Sequence, residues 1–282
     1  MPEMVALTGA TGFIGREILR SLIGNGYHVR ALTRKPREDE KSIHWVLGDL
    51  NNKTALHQLV RGVDAVIHCA GSVRGSSLED FVRTNVDGTS NLVQAAEHQA
   101  IKPRFLLISS LAAREPELSW YAKSKQMAEQ YVVSYSANSQ WIIFRPTAVY
   151  GQGDRELKPV FNATRHGLLP LVGETSNKIS LLHVDDFVAA IQCWLAMSVP
   201  VSGVYELDDG NEGGYSYESI AAITQEVWGR PVRCIKMPIS AVSLVAKTNL
   251  TLAKLFHYAP MLTPEKVKEL QHSNWLCDNS PL

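Results

Sequence analysis

The sequence predicts an α/β fold, a doubly wound parallel sheet with a small C-terminal lobe. Two observations carry the sheet. Short apolar runs alternate with amphipathic helical patterns from the N-terminus to about residue 145, and strands separated by helices pair in parallel through right-handed crossovers. The first run, Val5-Ala-Leu7, leads into Gly9, Gly12 and Gly15 and then a helix with Phe13, Ile14, Ile18, Leu19, Leu22 and Ile23 on one stripe. A third observation carries the lobe: beyond Gly151 the alternation fails, and Gly, Pro and Asn become frequent up to Asn177.

In chain order, the Asn25-Gly26 turn introduces a second strand over 27–34, and a short third strand over 43–47 ends at Gly48-Asp49-Leu50. A helix follows at 54–60, a fourth strand at 65–71 and a long helix over 78–100. The fifth strand is expected at 104–109, a helix at 121–135 and the sixth strand at 141–145. After a helix near 157–166 come a strand at 180–184, a helix at 186–197 and a strand at 204–207. Helices at 217–227, 240–256 and 263–270 complete the reading. The expected division is a dinucleotide-binding Rossmann domain over 1–155, completed by about 178–208. A substrate-binding lobe is assembled from 156–177 and 209–282.

Bulk properties narrow the function. Lys+Arg and Asp+Glu both total 28, so no net field draws nucleic acid to the chain. Cys69, Cys193, Cys234 and Cys277 show neither a C-x-x-C pair nor metal-ligand spacing, so no metal is expected and the thiols read as small buried side chains. The N-terminus enters a core strand at once, leaving no room for a signal peptide, and no apolar run is expected to span a bilayer. The expected location is cytoplasmic. The helix at 240–256 is apolar along much of its length and carries only Lys247 and Lys254 as bases. It is expected to pack in the lobe or against a partner subunit rather than on a membrane.

Ligands of such sheets bind beyond the carboxyl ends of the strands. Strand, glycine turn and helix make a phosphate site there, because glycines admit a pyrophosphate to the backbone and the free N–H groups of the helix start favour the anion. The spacing is G-x-x-G-x-x-G. The second strand ends Thr33-Arg34-Lys35 without a carboxylate; Arg34 suits a ribose 2′-phosphate through paired hydrogen bonds, which points to NADP over NAD. Asp49 is placed to bond an adenine amino group, or to cap the helix that follows it. Tyr121 and Lys125, four apart at a helix start, share one face. A phenol ionises near ~10, and lowering it by ~3 units takes about 4 kcal/mol of differential interaction, which a lysine and an oxidised nicotinamide could supply. Ser109 and Ser110 end the fifth strand, where one hydroxyl could hold a carbonyl oxygen beside Tyr121.

With these residues in this order, the chain resembles the extended branch of the short-chain dehydrogenase/reductase superfamily, the NAD-dependent epimerase/dehydratase family. The matching segments are Thr8-Gly-Ala-Thr-Gly-Phe-Ile-Gly15, Gly48-Asp-Leu50, His68-Cys-Ala-Gly71, Asn85-Val-Asp-Gly-Thr89, Ser109-Ser110, Tyr121-x-x-x-Lys125, Arg145-Pro-Thr-Ala-Val-Tyr-Gly151 and His183-Val-Asp-Asp186. The resemblance implies that Tyr121 is the acid/base, that Lys125 binds the nicotinamide ribose and tunes Tyr121, and that Ser110, rather than Ser109, orients substrate. It further implies cofactor contacts from Gly9, Thr11, Gly12, Phe13, Ile14, Gly15, Asp49, Leu50, Ala70 and Gly71. Asn85 would support the site from the long helix, Pro146 to Val149 would flank the nicotinamide, and His183 would tie lobe to sheet. Members often form homodimers through the two long helices.

Within that branch, two departures from the sugar-nucleotide epimerases favour a reductase of a carbonyl or related small substrate. The Ser-Ser strand continues as Leu111-Ala-Ala-Arg-Glu115 rather than into a Val-Tyr-Gly turn. Lys178 stands where epimerases commonly carry a phosphate-gripping arginine, and it lacks arginine's bidentate fork. A nucleotide-sugar epimerase/dehydratase, and a non-catalytic NADP-binding subunit, are the alternatives.

Overall fold

The computed structural model describes residues 4–134, 139–198 and 201–281. Six strands and five helices lead the chain through the main sheet. In order they are β1 (Met4–Thr8), α1 (Phe13–Gly24), β2 (His28–Thr33), β3 (Ile43–Leu47), α2 (Lys53–Val60), β4 (Ala65–His68), α3 (Leu78–Phe81), α4 (Gly88–Glu97), β5 (Arg104–Ile108), α5 (Trp120–Val133) and β6 (Trp141–Pro146). Then come β7 (Ala148–Tyr150), α6 (Lys158–Arg165), β8 (Leu168–Leu171), β9 (Lys178–Ile179), β10 (Leu181–His183), α7 (Val184–Ala196) and β11 (Gly203–Leu207). The remaining elements are β12 (Tyr215–Ser216), α8 (Tyr217–Trp228), β13 (Arg233–Lys236), α9 (Ile239–Phe256), α10 (Pro264–Gln271) and β14 (Asn274–Trp275).

Seven strands form one sheet in the order β11-β6-β5-β4-β1-β2-β3, and every pairing in it is parallel. Such a sheet must be covered on both faces, and the strand residues divide accordingly. Val5, Leu7, Ile67, Leu106 and Ile108 pack with Ile18 and Leu22 of α1 and Phe187 and Ile191 of α7. Ala6, Val66, Phe105 and Leu107 turn the other way, onto Leu56 and Leu59 of α2, Leu92 of α4 and Val132 of α5. Because the period is two, each strand feeds both cores, at roughly 1.5–3 kcal/mol per large buried side chain.

The register is what gathers a site. Thr8 pairs with His68, His68 with Leu107 and Ile108 with Phe144, so β1, β4, β5 and β6 end at one edge.

Most expected boundaries hold within a few residues; three differences have physical causes. The helix expected over 78–100 is a composite: α3 and α4 are joined by a π-helical turn, Val82–Asp87, and the run ends at Glu97. The segment after Gly151 holds more strand than expected, because β8 and β13 pair with each other, as do β12, β9 and β14; two- to four-residue strands leave no periodicity to read. Cys193 is exposed, so the four thiols are not uniformly buried. Tyr135, at the end of the helix expected over 121–135, lies outside the described residues.

The helix expected to pack, α9, is held by one edge only. Ala246 and Ala253 are its buried residues, and Asn249 Nδ2 donates to Leu262 O (2.9 Å). Its apolar face is left uncovered by the described residues. By length and by mean hydropathy, 1.2, it is apolar enough to cross a membrane, although 11% of it is buried in the fold.

Candidate active site

The glycine turn is built as a cradle. Gly9 has φ +74°, and a Cβ there would lie 2.7 Å from Ala70 N. A Cβ on Gly15 would lie 2.0 Å from Gly9 O, so α1 starts hard against the turn. Gly12 N–H donates to Gly9 O (2.9 Å). Helix α1 begins at Phe13 with no side-chain cap and no acidic residue in its first turn. A helix start carries unsatisfied N–H groups and a partial positive charge, so these residues fit a pyrophosphate.

Behind the turn runs a buried polar chain. Thr8 Oγ1 lies 2.7 Å from His68 Nδ1, and His68 Nε2 lies 2.9 Å from Thr89 Oγ1. Thr89 donates to Asn85 O (2.6 Å), so it must accept from His68 Nε2–H, and Thr8 donates to Nδ1. The ring is therefore neutral, in agreement with burial pulling its pKa down to about 3. Thr8 Oγ1 also accepts from Ala70 N (3.1 Å), which ties β1 to the turn after β4.

Asn85 sits in the π-helical turn, a local distortion common at functional sites. Its Oδ1 accepts from Ser72 N (2.7 Å), and its Nδ2 donates to Ser72 O (3.0 Å) and Ser124 Oγ (2.9 Å). Gly71 lies between this amide and Lys125: a Cβ on it would be 3.2 Å from Asn85 Oδ1 and 3.9 Å from Lys125 Nζ.

Ser119 caps α5, accepting from Ala122 N (3.0 Å), and Tyr121, Lys125 and Glu129 follow at intervals of four. Lys125 is buried, donates to Ile108 O (2.7 Å), and is pulled down to about 8 by burial against the opposing pull of Glu129. Tyr121 is pushed up to about 12, chiefly by burial and further by Glu269, while a hydrogen bond with Ser110 works the other way. The lysine here donates to the end of β5, and burial favours the protonated tyrosine.

The two serines part company. Ser109 Oγ donates to Glu129 Oε1 (2.5 Å), and Glu129 grips Arg145 through two bonds of 2.9 and 2.6 Å. Ser110 remains half-buried beside Tyr121, its Oγ accepting from Ala112 N (3.2 Å). A small cavity opens beside Tyr121, between Phe81 and Ser119 on one side and Pro260, Met261 and Glu269 on the other. Glu269 is buried and bonded by Ser119 and by Lys266. Neither Glu129 nor Glu269 was singled out from sequence. The i, i+4, i+8 spacing of Tyr121, Lys125 and Glu129 could have found the first; nothing local marks the second.

Other expected residues lie at the same edge or farther out. Thr11, Arg34 and Lys35 are exposed, Leu50 is buried, and Phe13, Ile14, Ala70 and Val149 are half-buried near the core. Asp49 Oδ1 accepts from Asn51 N (2.8 Å) and Asn52 N (3.1 Å), the capping alternative, while Asn52 is the N-cap of α2 itself. Pro146 ends β6. His183 caps α7, accepting from Asp185 N (3.3 Å), and meets Tyr150 edge-on. Lys178 is exposed on β9.

The chain is similar to known proteins along most of its length. Residues 5–207 match the model of the NAD dependent epimerase/dehydratase family, whose cofactor is a nicotinamide dinucleotide. A ceramide reductase of Caulobacter vibrioides (strain NA1000 / CB15N) is 35% identical over 99% of this chain and 87% of its own length. A UDP-glucose 4-epimerase of Vibrio cholerae is 27% identical over 82% of this chain and 79% of its own. Among solved structures, MoeE5 in complex with UDP-glucuronic acid and NAD superimposes with a TM-score of 0.70 at 26% identity, covering 83% of this chain and 85% of that one.

Proposed function

This chain belongs to the NAD dependent epimerase/dehydratase family, and on that footing we propose that it is an NADP-dependent reductase acting on a ketone of a long-chain, ceramide-type lipid. The observation that carries the direction is the likeness to a ceramide reductase over 99% of the chain, and Tyr121 suits it. A reduction needs a proton donor beside the carbonyl oxygen, and a phenol pushed up to about 12 is a donor throughout the neutral range. The reduced cofactor, when bound, supplies the hydride. Ser110 holds the ketone oxygen, Tyr121 gives it the proton, and the product is a secondary alcohol with the cofactor oxidised. Lys125, released from Ile108 O, would hold the nicotinamide ribose and place a positive charge beside the phenolate left behind.

Cofactor contacts in this reading come from the glycine turn with Thr11, Phe13 and Ile14, from Asp49 and Leu50, Ala70 and Gly71, Asn85, and Pro146 to Val149. The choice of NADP rests on Arg34 and Lys35, exposed at the end of β2 without a carboxylate beside them. The substrate class rests on the likeness to the ceramide reductase, which extends over 99% of the chain and so includes the lobe. Segments 156–177 and 209–282 form that substrate-binding lobe, and a cytoplasmic setting supplies the reduced cofactor. The epimerase reading draws on the Vibrio cholerae relative, but it leaves Lys178 in place of a bidentate phosphate ligand.

The test is NADPH consumption by the purified protein with an oxidised ceramide in detergent micelles, against UDP-sugars as controls. Stoichiometric oxidation with the lipid ketone, lost in Tyr121→Phe, is expected. Inversion of a UDP-sugar without net cofactor change would overturn the reading.

A further inference from the structure

The apolar face of α9 lies open. Leu244, Leu255 and Phe256 are 66, 67 and 67% exposed, and Val245 and Leu252 are exposed beside them. With Ala241 they fall on one arc of the helix, opposite the Ala246, Asn249 and Ala253 edge that holds it to the fold. Lys247 and Lys254, seven apart, run along one border of that arc. Met237 and Tyr258, just before and just after the helix in sequence, are exposed as well.

Charge identifies what covers this face. The whole chain balances 28 bases against 28 acids, yet residues 227–264 carry Arg230, Arg233, Lys236, Lys247 and Lys254 and no Asp or Glu. Lys236 is paired with Glu174 at 2.5 Å; Arg233, Lys247 and Lys254 are exposed and have no salt bridge among the described residues. An apolar stripe bordered by lysines is the pattern of a helix lying in a bilayer interface. Two copies meeting through this face would bring like charges together, which disfavours a second copy as occupant. A full span is disfavoured by Lys247 in the middle of the helix and by the Ala246, Asn249 and Ala253 edge already packed on the fold.

We propose that α9 and the basic segment preceding it form a docking surface for an anionic lipid bilayer, with the helix lying in the plane of the membrane. The segment leaving α9 supplies Pro260 and Met261 to the cavity beside Tyr121, so a docked molecule carries the mouth of its site at the lipid surface. Docking goes beyond the reductase reading and is tested without cofactor or turnover, so either can fail alone.

The experiment is co-sedimentation of the full chain with vesicles of phosphatidylcholine alone and of phosphatidylcholine with phosphatidylglycerol. Binding to the anionic vesicles, released by high salt, is expected. Each interfacial lysine contributes about 1 kcal/mol, or about fivefold, so Lys247→Gln with Lys254→Gln should weaken partitioning about 25-fold. Leu244→Asn with Leu255→Asn should weaken it on both vesicle types. Failure of the wild-type chain to bind either vesicle, or undiminished binding by the lysine pair, would overturn the proposal. So would a dimer in sedimentation velocity that the leucine pair dissolves, because a second copy would then be the occupant.

Discussion

Gly15→Ala isolates the phosphate cradle from the chemistry. The added methyl would lie 2.0 Å from Gly9 O and 2.6 Å from Gly9 C, both backbone atoms, and no side-chain rotation relieves the clash. Cβ contacts below about 3 Å are essentially absent from proteins, so α1 must withdraw by about 1 Å or the turn must open. Overpacking of this kind costs about 1–3 kcal/mol of stability. The greater loss falls on the cofactor: each backbone N–H displaced from a charged phosphate oxygen forfeits about 1.5–3 kcal/mol, a weakening of roughly 10- to 150-fold. Gly24→Ala is the matched control. It ends the same helix, its Cβ would meet nothing within 4 Å, and it should gain about 0.5–1 kcal/mol from reduced backbone entropy. Titration of NADPH quenching of tryptophan fluorescence, with thermal unfolding of each variant, reads both effects. If Gly15→Ala binds NADPH within about twofold of wild type at an unchanged melting temperature, the cradle argument is wrong.

Three further outcomes follow from the buried charges and the second-strand end. Lys125 is pulled down to about 8 from the 10.5 it has in the unfolded chain; between those values the unfolded state binds the extra proton, so its cost is fully present below pH 8 and relieved as pH rises. Lys125→Met should therefore raise stability at pH 7 by roughly 1–3 kcal/mol in urea unfolding while abolishing turnover. His68, down to about 3 from 6.5, stays neutral when folded and charges when unfolded, so stability should fall by about 1.4 kcal/mol per pH unit as pH drops from 6.5 towards 3. A stability–pH curve with the same slope in His68→Gln would remove that assignment. Arg34→Asp should shift the ratio of NADPH to NADH affinities by at least about tenfold towards NADH, measured by competitive binding.

The sheet and the first ring of the site were legible because both are local. Glycine spacing, the apolar runs and the Tyr121–Lys125 interval are properties of a few neighbouring residues. What could not be read depends on contacts across the chain. Nothing near Ser109 says that its hydroxyl is taken by Glu129, itself held by Arg145, yet that contact separates it from Ser110. The direction of the Tyr121 shift depends on burial and, further, on Glu269, about 150 residues later in the chain. The π-helical turn at Asn85 has helical periodicity on both sides, and one extra residue per turn leaves no mark in composition. The strands outside the main sheet are too short for any period to register, and α9 reads as a packing helix because apolar composition does not say which side of a helix stays bare.

Arg114 ties together parts of the chain that are made far apart in time. It lies in the short 3₁₀ turn that Ser110 caps, and its guanidinium donates to Leu276 O (2.9 Å) and Asn274 O (3.2 Å), while β14 lies along β9. During synthesis the last strand of the main sheet is complete at Leu207, so the glycine turn and its sheet can assemble while some 70 residues have yet to emerge. The turn that Ser110 caps is fastened only once Asn274 and Leu276 have emerged. A nascent chain could thus order its glycine turn before the turn at Ser110 is fastened.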